Sequence, residues 1–135
     1  MMSTILIVDD TESSRDLLSK LLIKQGYRTV CAHDGLEALA AVEEHRPDLI
    51  LLDIMMPVMD GVEFLRTLRQ DPQRTELPVI AVTACSDPAT LQRMTDLGVF
   101  DYMIKSRFSI SLLLTRVRDA LTSPGQNPAP ASLSN

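Results

Sequence analysis

Five short apolar runs, at residues 5–8, 27–31, 49–52, 79–82 and 102–104, alternate with five segments whose apolar residues recur at helical spacing. All but the run at 27–31 are apolar at consecutive positions, which predicts strands buried on both faces. Strict alternation of such strands with helices predicts an α/β fold, a five-stranded parallel sheet wound on both sides by helices. Sheets of this kind bind ligands beyond the carboxyl ends of their strands, at a topological switch point.

The helical segments can be outlined in turn. Leu17, Leu18, Leu21 and Leu22 mark one face of the first, and Gly26 is placed to end it. Leu36, Leu39, Ala40 and Glu43 outline the second, which stops before Pro47. Val62, Leu65 and Leu68 give a third, opened by Asp60 and Gly61, and Leu91, Met94 and Leu97 a fourth, followed by Gly98. Ile110, Leu113, Leu114, Val117 and Leu121 form the cleanest stripe, with Ser109 as its N-cap. From Ser123 the chain reads SPGQNPAPASLSN, which is aperiodic and predicts a disordered tail or linker. The expected organisation is one domain over 1–122 and a tail over 123–135.

Size and charge narrow the function classes. A chain of 135 residues holds one such domain with a full core. Its apolar runs are strand-length, so no membrane span is expected. The N-terminal MMSTILIVDD lacks the basic region and length of a signal peptide, which points to a cytoplasmic address. A net charge of −5 argues against direct nucleic-acid binding, since phosphate contacts need a basic face. It leaves room for a phosphoryl group at one local site. Cys31 and Cys85 form no CxxC and are expected as packed thiols.

The segment LILLDIMMPVMDG, from Leu49 to Gly61, ends a core strand on a carboxylate, Asp53. The first strand ends on Asp9 and Asp10, the fourth on Thr83 and the fifth on Lys105. A parallel sheet brings these ends to one edge. Three clustered carboxylates repel unless a cation joins them, and a hard oxygen-liking ion such as Mg²⁺ suits both carboxylates and phosphate oxygens. Lys105 would add a point charge for a phosphoryl group and Thr83 a hydroxyl. A carboxylate can itself be the nucleophile, forming an aspartyl phosphate, and the protein's work is then mostly positioning and charge neutralisation.

The motifs LIVDD, LLDIMMPVMDG, VIAVTA and DYMIK, in this order, resemble the receiver (CheY-like) domain of two-component response regulators over roughly residues 3–122. The resemblance implies a flavodoxin-like strand order, 2-1-3-4-5. It implies Asp53 as phosphoacceptor, with Asp10, Asp53 and the Met55 carbonyl binding Mg²⁺ and Asp9 assisting. Thr83 and Lys105 would bind the phosphoryl oxygens, and Tyr102 would turn inward as Thr83 moves. Pro57, Asp60 and Gly61 would shape the loop around the acid. Small Ala84 would leave water a path to the phosphoryl group, so autodephosphorylation is expected, with no separate enzymatic activity.

The implied partners are a sensor histidine kinase or phosphotransfer protein, and a downstream effector protein or an output domain missing from this chain. Output would appear on the face of the fourth helix, fifth strand and fifth helix, which leaves a homodimer through that face open. Two features depart from the family's pattern: Ser106 follows Lys105 where a proline is usual, and Val99 and Phe100 replace smaller residues.

Other readings weigh less. A haloacid dehalogenase-type phosphatase also uses a strand-end Asp with Mg²⁺, but its DxDxT pattern is absent from the first strand. A pseudo-receiver, a protein-binding module that never accepts phosphate, would not need the whole residue set. His33 and His45 lie away from the strand ends and are expected at the surface, as are Glu43 and Glu44. Met55, Met56 and Met59 are expected as soft loop packing rather than metal ligands. Cys85, two residues past Thr83, would border the pocket.

Overall fold

The structure is a computed structural model that describes residues 2–56, 58–84, 87–107 and 109–122. Pro57, Cys85 and the tail from Ser123 lie outside the described residues, and so do the expectations attached to them. Strands and helices alternate as β1 (Thr4–Val8), α1 (Glu12–Lys24), β2 (Arg28–Ala32), α2 (Gly35–His45), β3 (Leu49–Leu52), α3 (Gly61–Arg69), β4 (Val79–Thr83), α4 (Pro88–Asp96), β5 (Asp101–Ile104) and α5 (Ile110–Thr122). Two short 3-10 turns, Pro72–Arg74 and Lys105–Arg107, are additions that the periodicity did not predict.

All five strands pair in parallel in the order β2-β1-β3-β4-β5. Period-two alternation divides each central strand between two core layers. Ile5 and Ile7 of β1 pack with Leu18 and Leu22 of α1 and Leu113 and Val117 of α5. Leu6 and Val8 face the other way, against Ala38 and Val42 of α2, Phe64 and Leu65 of α3 and Met94 of α4. Both faces of the sheet are therefore dry at the central strands β1, β3 and β4, which is why these read as largely apolar runs.

Two helix faces differ from expectation. In α2 the buried side chains are Ala38, Ala41 and Val42, whereas Leu36 is 55% exposed and Ala40 is also exposed. Small residues let the helix sit close to the sheet, and the larger leucine is left outside. In α1 only Leu18 and Leu22 are buried, and Leu17 is exposed. Cys31 is also a correction: it is an exposed free thiol, because β2 is an edge strand whose outer positions are uncovered. The α5 stripe holds at Leu113 and Val117, and Ser109 caps that helix by accepting a hydrogen bond from the Leu112 amide at 3.1 Å.

Candidate functional site

The site forms at the carboxyl edge of the sheet, where β1 and β3 end side by side and β5 ends beyond β4. The Asp53 amide donates to the Val8 carbonyl at 2.8 Å, extending the β1–β3 ladder by one residue beyond β3. The Asp9 amide donates in the same way to Ala32 of β2 at 3.1 Å. These two bonds set two carboxylates next to each other without a turn between them. Both are nearly sealed from solvent, with Asp9 2% and Asp53 5% exposed, whereas Asp10 points outward.

Each buried acid is held by specific donors. One oxygen of Asp9 accepts the Thr11 amide at 2.9 Å, and the other accepts Lys105 Nζ at 3.1 Å. Asp53 accepts the Met55 amide at 3.1 Å on Oδ1 and Lys105 Nζ at 3.4 Å on Oδ2. Lys105 thus bridges the two acids from the end of β5. Asp9, Asp10 and Asp53 can each present one oxygen within 4.8 Å of the others. Three hard oxygen donors at that spacing, with a single ammonium between them, fit a divalent oxygen-liking cation such as Mg²⁺.

The charges are tuned accordingly. Burial pushes the Asp53 carboxyl above its ordinary range, against the Lys105 charge and the Met55 amide, which favour the ionised form, while the Asp9 charge adds to the upward push. Burial alone would lower Lys105, but its hydrogen bond to Asp9 and the charges of Asp53 and Asp9 leave it raised. The lysine therefore stays protonated, and the unsettled group is Asp53.

Thr83 is fully buried at the last position of β4, in register with Ile104, the residue before Lys105. Ala84, next along, is exposed. Tyr102 is half-buried, in register with Ala81 and packed on the α2–α4 layer rather than bonded to the acids. The Met55 side chain is 59% exposed, and it is the backbone of this residue that touches the site. Met56 is buried and Met59 half-buried, as soft packing requires. His33 and His45 lie on the surface, paired with Glu37 and Glu44. Glu43 and Glu44 are exposed too, and Glu43 meets Arg74 at 3.3 Å. Among the described residues no peptide bond is cis, so the Lys105–Ser106 bond is trans.

The loop after Asp53 is closed by backbone contact. The Gly61 amide donates to the Ile54 carbonyl at 2.9 Å, and a Cβ on Gly61 would lie 2.6 Å from Ile54 Cα and 2.8 Å from the Asp53 carbonyl oxygen. Only glycine allows α3 to start this close to the acid. Asp60 then caps α3 by accepting the Glu63 amide at 2.9 Å. Beside this loop an open cleft of about 640 Å³ runs from Asp10 past Met55 to Arg66, Thr90 and Arg93.

Arg15 is a contributor that sequence reasoning missed. Its guanidinium donates to the Asp9 carbonyl at 2.6 Å, tying the first turn of α1 back to the strand end. An arginine on the first turn after an acidic pair was the available signal, but arginines on exposed helix turns are too common to single one out.

Residues 5–118 match the response regulator receiver domain family. The DNA-binding response regulator MtrA of Mycobacterium tuberculosis is 38% identical over 129 residues, covering 96% of this chain and 55% of MtrA. The response regulator MprA of a Mycobacterium species is 39% identical over 126 residues, covering 92% of this chain and 54% of MprA. The chain thus spans about half the length of these relatives. Among solved structures, the chemotaxis protein CheY4 of Vibrio cholerae superposes with a TM-score of 0.83 at 34% identity, covering 90% of this chain and all of that one. The receiver domain of a histidine kinase from Syntrophus aciditrophicus gives a TM-score of 0.82 at 32% identity, covering 94% and 98% of the two chains. With its doubly wound sheet, its strand-end acids and this match over most of its length, the chain belongs to the response regulator receiver domain family, the signalling switches of two-component systems.

Proposed function

We propose that Asp53 accepts a phosphoryl group from the phosphohistidine of a sensor histidine kinase or phosphotransfer protein. The observation that carries this reading is the state of the Asp53 carboxylate. It is nearly buried at a strand end, beside two further acids and against one lysine. A structural carboxylate gains nothing from two acidic neighbours, but an acceptor meant to share a cation with an incoming phosphoryl group does.

In the transfer a carboxylate oxygen of Asp53 attacks phosphorus, the bond from phosphorus to the imidazole nitrogen breaks, and the donor histidine leaves with that electron pair. Lys105 already spans Asp9 and Asp53, so it can follow the growing charge on the phosphoryl oxygens without crossing the site. The Thr83 hydroxyl would donate to one of those oxygens. Asp9, Asp10, Asp53 and the Met55 carbonyl would hold Mg²⁺, which when bound neutralises charge between the acids and the phosphoryl group. Exposed Ala84 leaves water an approach for hydrolysis, so the phosphoryl group is expected to be lost spontaneously.

The output is conformational. Thr83 shifting toward the phosphoryl group, with Tyr102 turning inward, would alter the α4–β5–α5 face that an effector or an attached output domain reads. We assign residues 1–122 to the receiver and 123–135 to a linker or tail. MtrA is described as DNA-binding; for this chain we propose that any such contact belongs to an output segment, since its own charge is −5.

The test is intact mass after incubation with acetyl phosphate, with and without Mg²⁺, for the wild type and Asp53→Asn. One added phosphoryl group that requires both Mg²⁺ and Asp53 is expected. A folded wild type that gains none under any condition overturns the reading in favour of a pseudo-receiver.

A further inference from the structure

Outside the acidic site, one half-buried charged group is held in a manner that the phosphorylation chemistry does not use. Arg69, the last residue of α3, donates four hydrogen bonds, all to backbone carbonyls. Nε reaches Leu97 at 2.9 Å and Nη2 reaches Gly98 at 3.1 Å. Nη1 is shared between Arg74 at 2.9 Å and Leu77 at 2.8 Å. Burial draws the guanidinium's pKa down. An arginine held only by carbonyls bears a desolvation cost that a surface arginine avoids, so the arrangement persists for what it holds in place.

What it holds is one end of α4. Leu97 is the C-cap of that helix, and Gly98 follows in the left-handed region at φ +77°. The Leu97 carbonyl is among those that a helix end leaves without intrahelical partners, the Gly98 carbonyl follows it, and the helix dipole favours a cation there. The fork of Arg69 ties these two carbonyls to the end of α3, to the 3-10 turn and to the residue before Pro78.

Among the described residues, no hydrogen bond ties the opposite end of α4 to another element. Asp87, Pro88 and Ala89 are exposed, and Asp87 caps only its own helix, through Thr90. Met94, in the C-terminal half, is the helix's one fully buried side chain. The exposed end is also the one that follows Thr83 in the chain. α4 is therefore a short lever, fixed by Arg69 at the end remote from the site and exposed at Asp87–Ala89, the end beside it.

We propose that Arg69 makes the C-terminal end of α4 a fixed pivot, so that events at Thr83 are converted into movement of the helix's N-terminal turn. This rests on the reading of Asp53 as phosphoacceptor. It adds a positioning residue to the switch, one that touches neither the acids nor the phosphoryl group.

The experiment is residue-resolved hydrogen exchange on the 135-residue protein, in the wild type, Arg69→Lys and Arg69→Gln. Each is measured alone and with acetyl phosphate and Mg²⁺, with intact mass recorded in parallel. Lysine keeps the charge but cannot reach four carbonyls, and it guards against a glutamine variant that fails to fold. Without phosphodonor, both variants should exchange the Gly98 and Val99 amides roughly tenfold faster, the scale of one or two lost hydrogen bonds, and leave Thr90 and Leu91 unchanged. With phosphodonor, the wild type should change at Thr90 and Leu91 and stay constant over 97–99, whereas in the variants the change should spread along the whole helix. Equal change at both ends of α4 in the phosphorylated wild type overturns the pivot. So does unaltered exchange at Gly98 and Val99 in folded variants. A wild type whose mass shows no phosphoryl group instead sinks the phosphoacceptor reading and the pivot's role in it, and the comparison without phosphodonor still decides whether Arg69 clamps the helix.

Discussion

Asp53 holds its charge against its surroundings. Burial is the main reason that its carboxyl titrates above the ordinary range, and the Lys105 charge and Met55 amide only partly offset it. The folded state therefore binds the Asp53 proton more tightly than the unfolded chain does. The resulting stabilisation is fully present below the unfolded carboxylate pKa and is lost as pH rises through the raised folded value. At neutral pH the ionised group is a net burden on the fold. Asp53→Asn, which keeps the shape and removes the charge, should be more stable than the wild type at pH 7 by roughly 1 kcal/mol, or about 4 °C in Tm for a domain of this size. The gain should fade in acid, where the wild-type carboxyl is protonated in both states. Thermal melts across pH decide it, and a variant less stable than wild type at pH 7 would mean that Lys105 depends on Asp53 more than Asp53 is burdened by burial.

At the scale of elements, α3 positions the loop around that acid, and Gly61 is the residue with no substitute. An alanine there drives a Cβ into backbone atoms of Ile54 and Asp53, which cannot move aside as a flexible side chain would. Gly61→Ala should cost on the order of 2–4 kcal/mol in urea denaturation and slow phosphoryl uptake from acetyl phosphate, since the struck atoms carry the proposed acceptor. An unchanged urea midpoint would show that α3 can back away from the strand end. The glycine and its capping neighbour Asp60 were legible in the sequence, as were the strand ends bearing Asp9, Asp53, Thr83 and Lys105, because turn chemistry and period are local signals. The buried face of α2 was not, since Leu36 obeys helical spacing and yet stays outside while alanines fill the close contact. Cys31 was misjudged because a single strand does not announce whether it lies at the edge of a sheet. Arg15 and Arg69 bind carbonyls several residues or several elements away, and no local pattern marks such partners. Val58, with φ +68°, is a β-branched residue in the left-handed region, which propensity argues against and the loop around the site imposes.

For the whole molecule, Asp9 and Asp10 follow β1 and Asp53 follows β3, so the three acids meet only when the sheet is assembled. A divalent cation that binds all three therefore binds the folded state and not the unfolded chain, and mass action makes its affinity a contribution to global stability. Mg²⁺ at a hundredfold excess over its Kd should add about 2.7 kcal/mol, and a chelator should remove the gain completely. A chain with a net charge of −5 is also stabilised by salt in general, since screening relieves its self-repulsion. The two effects separate at Asp10, which is exposed and lies on the cluster without the bond to Lys105 that holds Asp9 and Asp53. Asp10→Asn should melt like the wild type in the absence of Mg²⁺ and lose most of the Mg²⁺-dependent gain, while both proteins respond alike to NaCl of matched ionic strength. If Asp10→Asn keeps the full gain, or if NaCl reproduces it, the stabilisation is diffuse screening and the three carboxylates do not act as one site.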